Sequence, residues 1–166
     1  MKLIKTLERI NTIFEKIFIS CAGTLLVSMV LITCANIVLR WFWVPLRGTF
    51  ELMGLMGAVV ATFALAYTQA KKEHISVDIL IQIFPQGLRR FFAVINDLVC
   101  ICFSVIVSWQ VIKIANNLLS SGEVTETLRI IFYPFTYAVA LGFIALSLIF
   151  LTDICKFLLA KGDNQQ

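Results

Sequence analysis

Four stretches with almost no charge divide the chain. The first covers 17–39, between Lys16 and Arg40, and the second covers 52–70, between Glu51 and Lys71. The third, 91–112, holds Asp97 as its one charge, and the fourth, 130–152, lies between Arg129 and Asp153. Their lengths are 23, 19, 22 and 23 residues. An α-helix rises about 1.5 Å per residue and the hydrocarbon core of a bilayer is about 30 Å thick, so about 20 residues cross it. All four stretches reach or nearly reach that length. Backbone amides in lipid need partners within their own segment, which predicts helices. A barrel would need short alternating strands, and no such alternation occurs. The pattern predicts an all-α integral membrane protein with four transmembrane helices, forming one membrane domain over 1–166.

Composition narrows the class further. Hydrophobic residues make up 60% of the chain and charged residues 14%, against about 45–50% and about 25% in soluble domains. That excludes a soluble globular domain and a disordered tail. The net charge of +4 does not make a nucleic-acid-binding face, because the cations lie between apolar runs. No nucleic acid partner is expected, and membrane lipid is the expected solvent.

The same cations set the orientation. Ten of them (Lys2, Lys5, Arg9, Lys16, Lys71, Lys72, Arg89, Arg90, Lys156 and Lys161) fall on one side of the four spans, and four (Arg40, Arg47, Lys113 and Arg129) on the other. The positive-inside rule therefore predicts cytoplasmic N- and C-termini. Trp41, Trp43, Trp109, Tyr133 and Tyr137 fall near the expected outer ends, as an aromatic belt would.

Between the spans, the pattern changes. In 1–16, Leu3, Leu7, Ile10 and Phe14 recur at helical spacing, which predicts an amphipathic helix. Two placements stay open for it: flat on the cytoplasmic surface, or as a straight extension of the first span. Residues 73–84 are more apolar than a free loop and carry Ile75, Ile79 and Ile83 at i+4 spacing, which predicts a short interfacial helix. Pro85 then suits the start of the next helix. The first stretch is too long for the apolar region of a signal peptide and is not closed by a small-x-small site. Phe18-Ile19-Ser20-Cys21 has the look of a lipoprotein cleavage box but stands at the start of the apolar run, where it is not usable.

Candidate chemistry is sparse. Asp97, seven residues after Arg90, is expected in the cytoplasmic third of the membrane, about 10 Å along the axis. As a functional group it would be a proton or cation site; as a structural one it is a shallow acid paired with Arg89, Arg90, Lys16 or Lys72, and that reading is preferred. The chain has one His, His74, outside any span, so it cannot supply a bis-His haem site. Cys100 and Cys102 point about 200° apart on a helix and cannot clamp one metal. No Ser-His-Asp set, phosphate loop or paired deep carboxylates occur. An enzyme is not expected, nor a catalytic residue, a metal or a cofactor.

Packing information is richer. Gly54, Ala58, Thr62, Ala66 and Ala70 follow one another at i+4, with Gly57, Ala61 and Ala64 beside them, and the fourth span repeats this weakly with Ala138 and Gly142. Helices in lipid join by close approach and van der Waals contact, which small-xxx-small ladders permit. The ladder serves either the chain's own bundle or a partner.

Certain residues carry a family resemblance. Arg40-Trp41-Phe42 closes the first span, and Gly48-Thr49-Phe50-Glu51-Leu52 opens the second. The second span ends in Ala66-Tyr67-Thr68-Gln69-Ala70-Lys71-Lys72-Glu73-His74-Ile75-Ser76-Val77-Asp78. Later come Gly122-x-x-Thr125-x-x-Leu128-Arg129-Ile130 and Tyr133-Pro134-Phe135. Over almost its whole length the chain resembles the small, DctQ-like membrane subunit of tripartite ATP-independent periplasmic (TRAP) transporters. The resemblance implies the bacterial inner membrane, a large multispan membrane subunit that carries an organic anion, carboxylate or sulfonate, with sodium, and a periplasmic binding protein that delivers it. The small subunit would brace the large one, with sodium coupling in that partner. It also implies that Arg40 and Glu51 pair across the outer turn, and that His74 and Asp78, i and i+4 on a helix, pin the inner segment. The competing readings are a self-sufficient four-helix carrier and a membrane anchor of a redox complex.

Overall fold

The structure, a computed structural model, describes residues 2–42, 44, 46–71 and 86–160. It consists of α1 (Lys2–Phe42), α2 (Thr49–Lys71), α3 (Gln86–Ser121) and α4 (Tyr133–Ala160). Within these helices, Phe14–Phe42, Thr49–Lys71, Val94–Ser121 and Tyr133–Ile154 are each long and apolar enough to cross a membrane. We call the end carrying the α1–α2 and α3–α4 connections the loop end, and the opposite one the terminal end. The expected segment 73–84, with His74 and Asp78, lies outside the described residues.

The helices do not close into a square bundle. The main packed pairs are α1–α2, α2–α4, α3–α4 and, less extensively, α1–α4, so α3 is held chiefly by α4. The α1–α2 hairpin keeps one antiparallel register along its length. Lys71 meets Glu15 at 3.8 Å, and Thr33 donates to the Met53 sulfur at 3.7 Å. Phe18 stacks on Phe63 with ring centroids 4.4 Å apart. With Lys71 level with Glu15, α1 runs on as an unbroken helix to Lys2, about 20 Å past that level at 1.5 Å per residue.

The core gathers towards the terminal end. Phe18, Ala22, Val59, Phe63, Ala66, Ala145, Leu146, Ile149 and Phe150 are buried together. Nearer the middle, α2 and α4 approach closely at Gly142, where a Cβ would lie 2.5 Å from Thr62 Cγ2. With no hydrophobic drive between helices in lipid, such missing side chains are what let backbones meet. The seam of α3 follows the same rule with Ser104, Ser108 and Ala115, all buried and at i, i+4 and i+11.

The third helix departs from the expected boundaries. It continues past Lys113 to Ser121, because Ile114, Ala115, Leu118 and Leu119 carry the apolar pattern on and a lysine can snorkel. Trp109 therefore lies 12 residues, about 18 Å, below the loop end of α3. It is not part of an interfacial belt, whereas Trp41 closes α1 and Tyr133 opens α4.

Candidate functional site

The family motifs converge at the loop end. The first connection folds back on α1: the Leu46 N–H donates to Asn36 Oδ1 at 2.8 Å, and Thr49 Oγ1 donates to the Leu46 carbonyl at 2.8 Å. Gly48 has φ +79°, and a Cβ there would run into the Leu128 side chain of the other connection. Glycine is required twice over, by the left-handed backbone and by the space.

The second connection is a folded loop. Gly122, at φ +64°, caps α3 by donating its N–H to the Leu118 carbonyl at 3.1 Å. Val124 and Ile131 form an antiparallel bridge. Buried Thr125 organises the interior: its N–H donates to the Ile130 carbonyl at 2.9 Å, and its Oγ1 accepts from the Ile130 N–H at 3.0 Å. Its carbonyl accepts from the Arg129 N–H at 3.1 Å, which makes 125–129 a single helical turn. Arg129 itself takes φ +51°.

A lone turn leaves its leading N–H groups without partners. A capping side chain on the preceding residue usually accepts from them, but the Thr125 hydroxyl is already taken. Glu51 of α2 does this instead. Thr127 N–H donates to its Oε1 at 2.8 Å, and Leu128 N–H to its Oε2 at 3.1 Å. One carboxylate thus caps a turn in the other hairpin through two charge-assisted bonds. Glu51 and Leu128 together lock the α1–α2 hairpin to the α3–α4 hairpin.

This corrects the expected Arg40–Glu51 pair. Both Glu51 oxygens are held by loop amides, and Arg40, exposed in the last turn of α1, meets no carboxylate among the described residues. A carboxylate beside two unpaired amides has a fixed geometric match there, whereas the guanidinium at a helix end can stay hydrated. Sequence reading missed Thr127 and Leu128 as partners of Glu51, although Glu51 and Leu128 both stood in the motifs.

The small-residue ladder divides. Thr62 and Ala66 are buried, Gly57 faces Met29, and Gly54 and Ala58 are exposed. Each i+4 step on a 3.6-residue helix gains about 40°, so a strict i+4 row winds from one face to another. The buried seam of α2 is instead Met56, Val59, Thr62, Phe63, Ala66 and Gln69.

Three buried hydroxyls inside the spans are turned onto their own helices. Thr62 donates to the Ala58 carbonyl and Thr152 to the Leu148 carbonyl, both at 2.8 Å, and Ser104 donates to the Ile101 carbonyl at 3.1 Å. These hydroxyls are satisfied locally and line no polar chamber. Asp97 is half-buried and not an isolated charge. Tyr137 Oη donates to Asn116 Oδ1 at 2.5 Å, which fixes the levels of α3 and α4. Asp97 lies 19 residues beyond Asn116, about 28 Å further from the loop end, and so near the terminal surface.

Comparison with known proteins bears on the family of the chain. Over 92 residues the chain is 33% identical to the C4-dicarboxylate TRAP transporter small permease protein DctQ of Vibrio cholerae serotype O1, an alignment covering 50% of this chain and 38% of that protein. The match thus spans well under two thirds of that relative's length. Residues 29–159 match the family described as tripartite ATP-independent periplasmic transporters, DctQ component, a stretch that includes the Glu51 cap, the 122–132 loop and the Thr62–Gly142 contact. The chain belongs to the DctQ component family of TRAP transporters.

Proposed function

We propose that this chain is the bracing subunit of a sodium-coupled importer of organic anions, in which a large multispan subunit carries the solute and a periplasmic protein delivers it. The name of the Vibrio relative favours a dicarboxylate as the solute. The chain sits in the bacterial inner membrane with its termini in the cytoplasm, so that the loop end is periplasmic. Its own part is mechanical. The locally bonded hydroxyls and the shallow Asp97 support a scaffold over a carrier.

One observation carries the partner reading. Trp109 is 75% exposed and its neighbour Gln110 is also exposed, both near mid-depth on α3. An indole N–H and a primary amide facing hydrocarbon lack partners, at a cost that lipid cannot offset. A second membrane protein covering this face supplies both packing and acceptors. The face belongs to α3, which touches little else than α4 within the chain.

The test is copurification. The tagged chain, coexpressed with the large membrane subunit of its transporter, should retain that subunit, and W109A/Q110A should lose most of it while remaining folded in detergent. Unchanged capture by the double variant would overturn this choice of face. Absence of capture by the unaltered chain would overturn the bracing role.

A further inference from the structure

On α3 the buried seam and the unpaired polar groups lie on opposite sides. At about 100° per residue, Trp109, Lys113, Asn117 and Gln110 fall within one arc of about 100°, turned away from Ser104, Ser108 and Ala115. The first four are exposed and the last three buried. None of the four exposed side chains has a hydrogen bond or ion pair among the described residues.

Their depth follows from the contacts of α4. The Tyr137 bond to Asn116 sets the level of α3. Gly142, five residues further along α4, lies against Thr62, close to the middle of the charge-free stretch 52–70. Lys113 is three residues, about 4.5 Å, deeper than Asn116, and so within about 10 Å of the Gly142 level once side-chain reach is allowed for. The span that contains it runs on to Ser121, about 12 Å nearer the loop end. Side chains on a helix lean towards its N-terminus, which for α3 is the terminal end. The Lys113 side chain therefore sets out away from the nearer surface, and snorkelling works against that tilt.

We infer that the partner helix covering α3 carries an aspartate or glutamate that pairs with Lys113 inside the membrane, flanked by acceptors for Gln110, Asn117 and the Trp109 indole. The inference rests on the reading that the large membrane subunit covers this face, and it adds the chemistry that subunit must present. Charge decides between occupants. An acyl chain offers no acceptor to an ammonium, an indole N–H or two primary amides. A headgroup phosphate sits at the surface, above the level of Lys113. A second copy of this chain, docked by the same face about a two-fold axis, would set cation against cation. A carboxylate answers the ammonium and is itself costly in lipid without one, so each charge holds the other at this depth. The pair would fix the height and rotation of α3 against its partner.

Carbodiimide coupling of the coexpressed complex tests this. Dicyclohexylcarbodiimide enters apolar regions and activates a carboxylate, and an amine in contact with that carboxylate displaces the urea to leave an amide. The full chain bound to the large membrane subunit should give a joined species in which the peptide bearing Lys113 is linked to an aspartate or glutamate in a membrane span of that subunit. K113R keeps the charge but offers no amine, so it should retain the subunit and give no joined species. K113M should weaken capture on the order of tenfold, and K113E, which opposes acid to acid, should weaken it further. Failure of the unaltered complex to couple through Lys113, or full capture by both K113M and K113E, overturns the pairing. In that event, loss of the subunit by W109A/Q110A would leave the covering of α3 standing and only the carboxylate wrong, whereas capture by W109A/Q110A would remove the covering as well. A link from Lys113 to an acid of a second copy of this chain also overturns the inference. K113R keeps the coupling test readable if K113M or K113E does not fold.

Discussion

The tight contact between α2 and α4 at Gly142 invites one substitution above others. In G142A the new Cβ would lie 2.5 Å from Thr62 Cγ2, 3.1 Å from Thr62 Cβ and 3.2 Å from Phe63 Cδ1. Carbon atoms rest at about 3.5–4.0 Å, so α2 and α4 must part by about 1 Å or Thr62 must turn. Turning breaks its 2.8 Å bond to the Ala58 carbonyl. Overpacking of this kind costs about 1–3 kcal/mol. Alanine in place of glycine in a helix returns about 1 kcal/mol, leaving a net loss of up to about 2 kcal/mol. G54A is the control: nothing lies within 4 Å of its added carbon, so it keeps the helix gain alone. T62S removes the colliding methyl and keeps the hydroxyl, so G142A/T62S should be more stable than the two single effects added together. The assay is the melting temperature of the purified chain in mild detergent, read as the fraction remaining monodisperse after heating. The reasoning fails if G142A melts at or above G54A, or if T62S does not rescue it.

Other outcomes follow from the loop end. E51A should speed hydrogen exchange at the Thr127 and Leu128 amides specifically, leaving the Thr125 and Ile130 amides slow, since those bond within the loop; uniform change across the loop would argue against a capping role. G48A should lose about 1–2 kcal/mol from its left-handed backbone alone, and L128A should recover only the part due to the side-chain collision. Lys71–Glu15 is a partly exposed pair at 3.8 Å, so K71A should cost less than about 1 kcal/mol and its effect should shrink in high salt. A cysteine placed at Ser120 in a chain freed of its own cysteines should react with an impermeant maleimide from the periplasmic side, and labelling only from the cytoplasmic side would reverse the orientation.

Charge-free length made the helices readable, because the thickness of the apolar layer is a physical ruler. It located α2 to within three residues at either end. It failed for α3, where Lys113 looked like a boundary and Ile114, Ala115, Leu118 and Leu119 continued the helix. Spacing also misled along α2, since a ladder of small residues at i+4 drifts around the helix and only Thr62 and Ala66 of the foremost ones reach the core. The motif residues Gly48, Glu51, Thr125 and Leu128 were visible as individual letters. Their meeting was not, because it depends on two connections 76 residues apart being brought to the same end of α2 and α4. Glu51 found loop amides rather than Arg40 because a single helical turn offers two paired donors that no local side chain satisfies. Ser104, Ser108 and Ala115 did carry a readable signal, a second row of small side chains on one face, that the charge in the third stretch drew attention away from.

The central claim is that this chain supports transport without performing it. Proteoliposomes holding the chain alone should take up no labelled dicarboxylate above empty vesicles under an inward sodium gradient. Vesicles holding the chain with its large subunit and binding protein should take it up, and omission of this chain should abolish that uptake. Accumulation driven by the chain alone would contradict the account.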